Sequence, residues 1–313
     1  MAGAAPPLPP TLRLLERGWL SSNGIVFDDG DAVSIVDTGY DSHAEQTLAL
    51  VERLRAGRPL ARIVNTHLHA DHVGGNAALQ ARFAGEGCRT EIPAGMAPAV
   101  AAWDEEALSY AATGQTCRRF GYDRLLAAGD TLVLGGLSWQ VLAAPGHDPH
   151  MVMLFNAMHG ILISADALWQ NGFGAIFPEI EGESGFAEQR TALAQIERCA
   201  PRVVIPGHGA PFTDVAAALA RARARLDALA ADPARNARQV ARVLVKFWLL
   251  DRQRVTRSQL VAHFARARYL RLINERYFGL PFAAFLDRIA ADLIAAGAAA
   301  QDGEVLRNAE PRP

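Results

Sequence analysis

The chain has 313 residues, half of them hydrophobic and a fifth charged, with a net charge of −2, as expected of a soluble globular protein of about two domains. No run approaches the ~18 apolar residues a membrane span needs, and the opening MAGAAPPLPP lacks a basic region and an unbroken apolar stretch, so neither a membrane segment nor a secretory leader is expected. Cys88, Cys117 and Cys199 are odd in number and scattered, which argues against a disulfide framework and for a reducing, cytoplasmic setting.

Along the chain, residues 1–18 read as a flexible tail. Residues 25–27, 32–37 and 61–66 are apolar runs of strand length, the first two joined across 28–31 as a hairpin. Residues 42–56 place Ala44, Leu48, Val51 and Leu54 at helical spacing and stop before Gly57. Strands are expected at 137–143, 151–156 and 160–164, a helix at 186–199 and a strand at 202–205. This alternation predicts a layered α/β core over residues 19–213. Composition changes after Pro211. Residues 214–231 form an Ala/Arg helix and 238–250 a more apolar one. A helix over 256–268 has Thr256 as N-cap, and a helix over 282–296 is closed by Gly297. A hairpin over 300–306 turns at Asp302-Gly303. Helices followed by a hairpin predict a small winged-helix-like domain over 214–313. Residues 1–213 carry 14 basic and 23 acidic side chains, a balance of −9. Residues 214–313 carry 17 and 10, a balance of +7, which leaves the second half open to anionic partners.

The chemistry concentrates at NTHLHADHVGG, residues 65–75, where three histidines and an aspartate close an apolar strand. Neutral imidazole and carboxylate suit zinc and similar divalent ions. In extended chain His67 and His69 share a face and can grip one ion, while Asp71 and His72 follow where the backbone turns toward a second. Gly74 and Gly75 let the chain bend closely around the site. Three further residues follow apolar strands in the same way: His147 after VLAAPG, Asp166 after ILISA and His208 after VVIPG. Together these are five imidazoles and two carboxylates, a number that fits a two-metal site with one bridging carboxylate.

The sequence resembles the metallo-β-lactamase superfamily. Its signature H-x-H-x-D-H stands at His67-Leu-His-Ala-Asp-His72, and Asp37-Thr-Gly39, Pro145-Gly-His147, Ala165-Asp166 and Pro206-Gly-His-Gly209 match the family's other motifs in order. The resemblance covers about residues 20–213 and implies an αββα sandwich with the metals at one edge between two sheets. It implies that His67, His69 and His147 bind one metal, that Asp71, His72 and His208 bind the other, and that Asp166 bridges them. Two divalent ions are expected, zinc first, with iron or manganese as alternatives. Asp37 is expected to hold the metal loop by hydrogen bonds. His150 departs from the family's pattern and is expected to support the site or line the pocket, not to ligate.

Such a centre lowers the pKa of a bridging water toward neutrality, and Asp71 beside it orients the water and accepts its proton. Hydrolysis of a thioester or ester in a small cytosolic substrate is the expected reaction. The run after Asp166, Ala165-Asp-Ala-Leu-Trp-Gln-Asn-Gly172, is similar to that of hydroxyacylglutathione hydrolases. The basic glutathione-binding pattern of those enzymes' last domain is not evident. The alternatives are an endoribonuclease using the basic C-terminal domain, with nucleic acid the less favoured partner, and a mononuclear-iron persulfide dioxygenase. A homodimer is compatible with the arginine–alanine helices. The cleft is expected to draw on the insertion over residues 94–126, with Trp103, Tyr110, Phe120 and Tyr122, and on residues 169–177. No tyrosine is obviously placed as an acid, although Tyr110 and Tyr122 lie in that insertion. His43, His159, His263, Cys199, Asn23 and Trp19 read as structural. The last domain is expected to shape the cleft or a dimer without supplying ligands.

Overall fold

The computed structural model describes residues 8–309. The chain begins with strands β1 (Leu12–Leu15), β2 (Gly24–Asp28) and β3 (Val33–Val36), helix α1 (Ala44–Arg55), strand β4 (Leu60–Val64), helices α2 (Ala70–Val73) and α3 (Asn76–Phe83), and strand β5 (Arg89–Pro93). Short helices α4 (Ala97–Ala102) and α5 (Tyr110–Thr113) precede strands β6 (Arg124–Leu126), β7 (Thr131–Leu134), β8 (Leu137–Ala143), β9 (Val152–Asn156) and β10 (Ile161–Ala165). Helices α6 (Pro178–Glu181) and α7 (Phe186–Cys199), strand β11 (Val203–Pro206) and helix α8 (Val215–Ala231) follow. The last part holds α9 (Pro233–Arg252), β12 (Arg254–Thr256), α10 (Arg257–Phe264), α11 (Arg268–Ile273), a π-helical turn at Asn274–Phe278, α12 (Phe282–Ala295), β13 (Ala299–Asp302) and β14 (Val305–Asn308).

Two sheets face each other, one ordered β1-β2-β3-β4-β5-β6 and the other β11-β10-β9-β8-β7. Phe27, Val36 and Val64 from the first meet Trp139, Val141, Leu154, Ile163 and Ile205 from the second in one buried cluster. Trp139 is fully enclosed, its indole N–H donating to Leu134 O at 3.1 Å so that its polar atom is paired. Outside the first sheet, Val51 of α1 and Leu79 and Phe83 of α3 pack on Ile35 and Ile63. Outside the second, Leu193 and Ile196 of α7 and Leu219 and Leu226 of α8 pack on Leu162 and Val204. The layers therefore run helix, sheet, sheet, helix, because the central strands of the middle layers are apolar on both faces near their centres.

The expected elements appear with small shifts, and four differences matter. Part of the expected N-terminal tail is ordered: Leu12 to Leu15 pair with Phe27 to Gly24, and Leu12 is 2% exposed. Residues 1–7 of that tail lie outside the described residues. The helix expected over 256–268 does begin at Thr256, which forms a capping box with Gln259. It breaks at extended Ala267 and restarts as α11. The helix expected at 238–250 is the middle of the longer α9, which opens on Pro233. Finally, α8 belongs by packing to the first core, so the change of core falls between Ala231 and Pro233 and not at the composition change near residue 213.

The C-terminal part has its own core, with Val240, Leu244, Phe264, Leu270, Phe285 and Ile289, and a three-stranded sheet ordered β12-β14-β13. Ala112, Ala175 and Ile180 of the sandwich insert into that same cluster. Arg268 reaches Glu106 at 2.5 Å and also pairs with Glu181, which accepts from Tyr269 Oη at 3.1 Å. No described helix is long and apolar enough to cross a membrane.

Candidate metal centre

All seven side chains singled out in the sequence converge at one edge of the sandwich. His67, His69 and His147 lie close enough to share an ion, as do His67, His72 and Asp166, and Asp71, His72 and His208. They arrive from four strand ends, after β4, β8, β10 and β11.

The backbone bends sharply to bring them in. Asp37 ends β3 at φ 57° and Ala165 ends β10 at φ 46°, both in the left-handed region that non-glycine residues avoid. Such strain, of order 1–3 kcal/mol each, clusters at functional sites. At Asp37 the turn aims the carboxylate inward. It accepts from Thr66 N at 2.9 Å and Thr66 Oγ1 at 2.8 Å, and faces His72 Nδ1 at 2.8 Å. Asp37 thus holds the metal loop as expected. The loop is stapled further by Thr38 N to His72 O at 2.7 Å and by Asn76 Nδ2 to Asn65 Oδ1 at 2.7 Å. Gly74 serves through close approach, since a Cβ there would lie 2.1 Å from Asp41 N. Gly207 does likewise, its Cβ position falling 2.2 Å from Asp166 Oδ1.

These contacts select the nitrogen that each ring presents. His147 Nδ1 donates to Ala175 O at 2.5 Å, His72 Nδ1 donates to Asp37, and His67 Nδ1 lies 3.2 Å from Thr66 Oγ1. Each of these three rings therefore turns its Nε2 inward, and for His67 and His147 that nitrogen is bare. His69 presents Nδ1, which lies 3.1 Å from His67 Nε2 and 2.8 Å from His147 Nε2. Donor atoms around a tetrahedral ion with ~2.05 Å bonds stand roughly 3.3 Å apart. The carboxylates lie around these rings. His208 Nε2 is 3.0 Å from Asp71 Oδ2, His72 Nε2 is 3.5 Å from Asp166 Oδ1, and His147 Nε2 is 3.5 Å from Asp166 Oδ2. Among the described residues His72 Nε2 is buried with no hydrogen-bond partner, an expensive state for a polar nitrogen. A divalent cation fits that donor set.

Protonation follows the same logic. Burial holds His67 well below the ordinary imidazole range and pushes His69 and His147 down to about 4, so all three are neutral near pH 7. Burial also opposes charge on His72, but the carboxylates of Asp37, Asp166 and Asp71 outweigh it and raise its pKa well above the usual value. For Asp166, burial is outweighed by His72 and His208, which keep it ionised.

Beside these residues opens a cavity of about 390 Å³. Its floor is His69, Asp71, His147, Asp166 and His208, and its walls include Trp19, Trp169, Phe173 and Phe177. Trp19 stacks on His208 at 5.5 Å and Trp169 meets it edge-on at 5.4 Å, while Trp169 Nε1 donates to Asp166 Oδ1 at 3.1 Å. One stripe of α9 also lines it: Gln239, Arg242, Val243, Lys246, Phe247 and Leu250. The C-terminal part thus shapes the cleft.

Residues 169–177 line the cleft as expected, but the insertion's aromatics do not. Trp103, Tyr110 and Phe120 pack together beneath the metal loop, and only Thr113 and Gln115 of the insertion reach the cavity. Tyr110 is buried and its hydroxyl donates to Leu68 O at 2.9 Å, while Tyr122 borders a separate depression with Gln80. His150 does not line the cavity. Its exposed ring lies over Gly95, though its backbone N–H donates to Asp148, which sits 3.8 Å from His69. Two residues read as mere packing belong to the site. Trp19 covers His208, and Asn23 Nδ2 donates to Pro206 O at 3.0 Å and Gly209 O at 2.8 Å, clamping the His208 loop from both sides. Neither lies in a motif with ligand chemistry, so their roles emerge only when β2 is placed beside β11.

The sequence profile described as the Metallo-beta-lactamase superfamily matches residues 17–208. The chain belongs to that superfamily. Among curated relatives, a hydroxyacylglutathione hydrolase of Rhodospirillum rubrum is 30% identical over 154 residues, 49% of this chain and 48% of that protein. One from Haemophilus influenzae is 25% identical over 202 residues, 60% of this chain and 85% of that protein. The latter apart, the chain spans about half the length of the curated superfamily relatives it matches. A solved beta-lactamase domain protein from Burkholderia ambifaria superposes with a TM-score of 0.60 at 23% identity, covering 97% of this chain and 94% of that one. A metallo-beta-lactamase family protein from Thermus thermophilus gives 0.53 at 21%, covering 96% and 99%. At those identities the superpositions show the superfamily fold alone.

Proposed function

We propose that this superfamily member is a dinuclear zinc hydrolase of thioester or ester bonds in a small substrate. The observation that carries the reading is the convergence of inward-turned imidazole nitrogens and ionised carboxylates beside one cavity. His67, His69 and His147 would hold one ion, Asp71, His72 and His208 the other, with Asp166 between them. Bound there, divalent ions polarise the scissile carbonyl and make water a nucleophile near neutral pH.

The chain's own residues supply the rest. Asp71, kept ionised by His72 and His208 against the effect of burial, orients water and takes its proton. Trp19, Trp169 and Phe177 exclude bulk water from the floor. A thioester suits this site because a thiolate leaves without a proton, and no described tyrosine hydroxyl lines the cavity to act as an acid. The hydroxyacylglutathione hydrolases among the relatives support the same bond class. The C-terminal unit, with its three-stranded sheet behind α10 to α12, we read as winged-helix-like and as the lid of this cleft. Three free cysteines agree with a reducing compartment, and we place the protein in the cytoplasm.

Metal analysis of protein purified without added metal, combined with a thioester hydrolysis assay, tests the reading. About two zinc ions per chain with chelator-sensitive turnover is the expected result. One iron per chain without thioester turnover overturns it.

A further inference from the structure

Besides the metal-site residues, the cavity is lined by Arg225, Arg242 and Lys246. Arg223, Arg238, Arg257 and Arg268 outside it each pair with a carboxylate, of Glu197, Asp292, Asp287 and Glu106 respectively. Arg225 and Arg242, which line it, have no ion pair among the described residues. Arg225 of α8 is mostly enclosed, and burial lowers its pKa to about 10. Of its five N–H donors, one hydrogen bond is made among the described residues, from Nη1 to Phe173 O at 3.0 Å, and the guanidinium lies 4.6 Å from the Phe173 ring centroid. Arg242 of α9 has its Nε buried with no acceptor among the described residues. Asp292 feels the charge of Arg242, but that carboxylate is taken by both Nε and Nη2 of Arg238. Lys246, one turn along α9, adds a third cation to the same wall while binding Ala298 O, Asn308 Oδ1 and Ala309 O. Guanidinium N–H groups buried without acceptors are unfavourable, and an anion brought by a ligand would satisfy both.

We infer that Arg225 and Arg242 form an anion subsite, and that the substrate is an acyl compound with an apolar middle and a carboxylate, sulfonate or phosphate at the end remote from the scissile bond. Val243, Phe247 and Leu250 on the same helix stripe supply the apolar stretch between the two ends. The assignment of the anion's carrier as substrate rests on the hydrolase reading; the subsite itself does not.

The test uses the full chain as purified and 1-propanesulfonate, a weak metal ligand, titrated calorimetrically at constant ionic strength with 1-propanol as the neutral control. The sulfonate binds saturably and the alcohol does not. Arg242→Gln weakens sulfonate binding about tenfold or more, the usual loss for one charge-assisted contact, and Arg242→Lys restores part of it. Arg225→Gln does the same, and its circular dichroism reports whether it folds; Arg242→Gln stands without it. In turnover, S-acetyl-3-mercaptopropanoate is preferred over S-acetylpropanethiol, and Arg242→Gln cuts that preference in kcat/KM about tenfold. Sulfonate affinity unchanged by Arg242→Gln, or no saturable binding, overturns the subsite even if both thioesters are hydrolysed. Arg242-dependent sulfonate binding without hydrolysis of either thioester leaves the subsite standing and overturns the hydrolase reading.

Discussion

His72 uses its two ring nitrogens for different ends. Nδ1 is held by Asp37 at 2.8 Å, while Nε2 is buried between Asp71 and Asp166 without a hydrogen-bond partner among the described residues. Removing either the ring or the carboxylate it faces is therefore expected to abolish binding of the second ion. His72→Ala and Asp166→Ala should each lose metal and nearly all hydrolysis while their circular dichroism stays native. Full metal content in either variant would end the dinuclear assignment. Asp37→Ala should weaken metal binding by about 10–100-fold, as loss of an outer-shell partner usually does, and His150→Ala should keep both ions, as metal analysis would show. A pH dependence belongs to this scale as well. In protein stripped by a chelator, His69 and His147 titrate at about 4, against an ordinary 6.5 in the unfolded chain. Between those values the unfolded state binds more protons, so stability falls as pH drops from about 6.5 to about 4. The raised His72 does not oppose this, because it stays protonated in the folded state throughout that window. Thermal melts of stripped protein that are flat across this range would contradict the assigned environments.

Strand ends make the site. β3, β4, β8, β10 and β11 stop at the same edge of the sandwich, and each hands one or more polar side chains to the site or its support. Such loops are held by hydrogen bonds as well as by buried apolar residues such as Leu68 and Val73. Asn23, just before β2, is a clear case: it donates to Pro206 O and Gly209 O, accepts from Arg17 N at 3.0 Å, and its own backbone N–H reaches Gly207 O at 2.7 Å. Asn23→Ala leaves two carbonyls without their side-chain donor, which costs about 1–3 kcal/mol. A lowered melting temperature is expected, together with weaker binding at the His208 side of the site. An unchanged melt and unchanged metal stoichiometry would show that the loop is held by the sandwich alone.

At the scale of the molecule, the C-terminal part and the sandwich share one buried cluster and one cavity. The C-terminal arginines with carboxylate partners lie largely outside the cavity, and several of these pairs tie helices together, as Arg223 of α8 does with Glu197 of α7. Because α8 packs with α7 on the second sheet, ending the chain at residue 213 would strip part of that sheet's cover. A chain ending at Ala231 should instead fold and keep all seven donor residues. It should bind metal, show a raised KM on thioesters, and self-associate through the newly bared Ala112, Ala175 and Ile180. Size-exclusion chromatography and steady-state kinetics check both parts. A monomer as active as the full chain would remove the lid role.

The candidate donor residues and their order were legible in the amino-acid string because metal chemistry restricts residue type, and His67-Leu-His-Ala-Asp-His72 packs four such residues into six positions. The strands that carry them were legible as apolar runs, and Thr256 and Asp302-Gly303 marked a cap and a turn by local rules. Edge strand β1 was not, since Leu12 and Leu15 bury on no simple alternation. Asn23 and Trp19 were not, because their partners lie some 183 and more positions away and nothing local distinguishes them from packing. The unpaired state of Arg225 and Arg242 is of the same kind. A sequence shows a surplus of arginine, but which guanidiniums meet a carboxylate and which face a cavity depends on how α8 and α9 cross the sandwich, a matter of long-range packing.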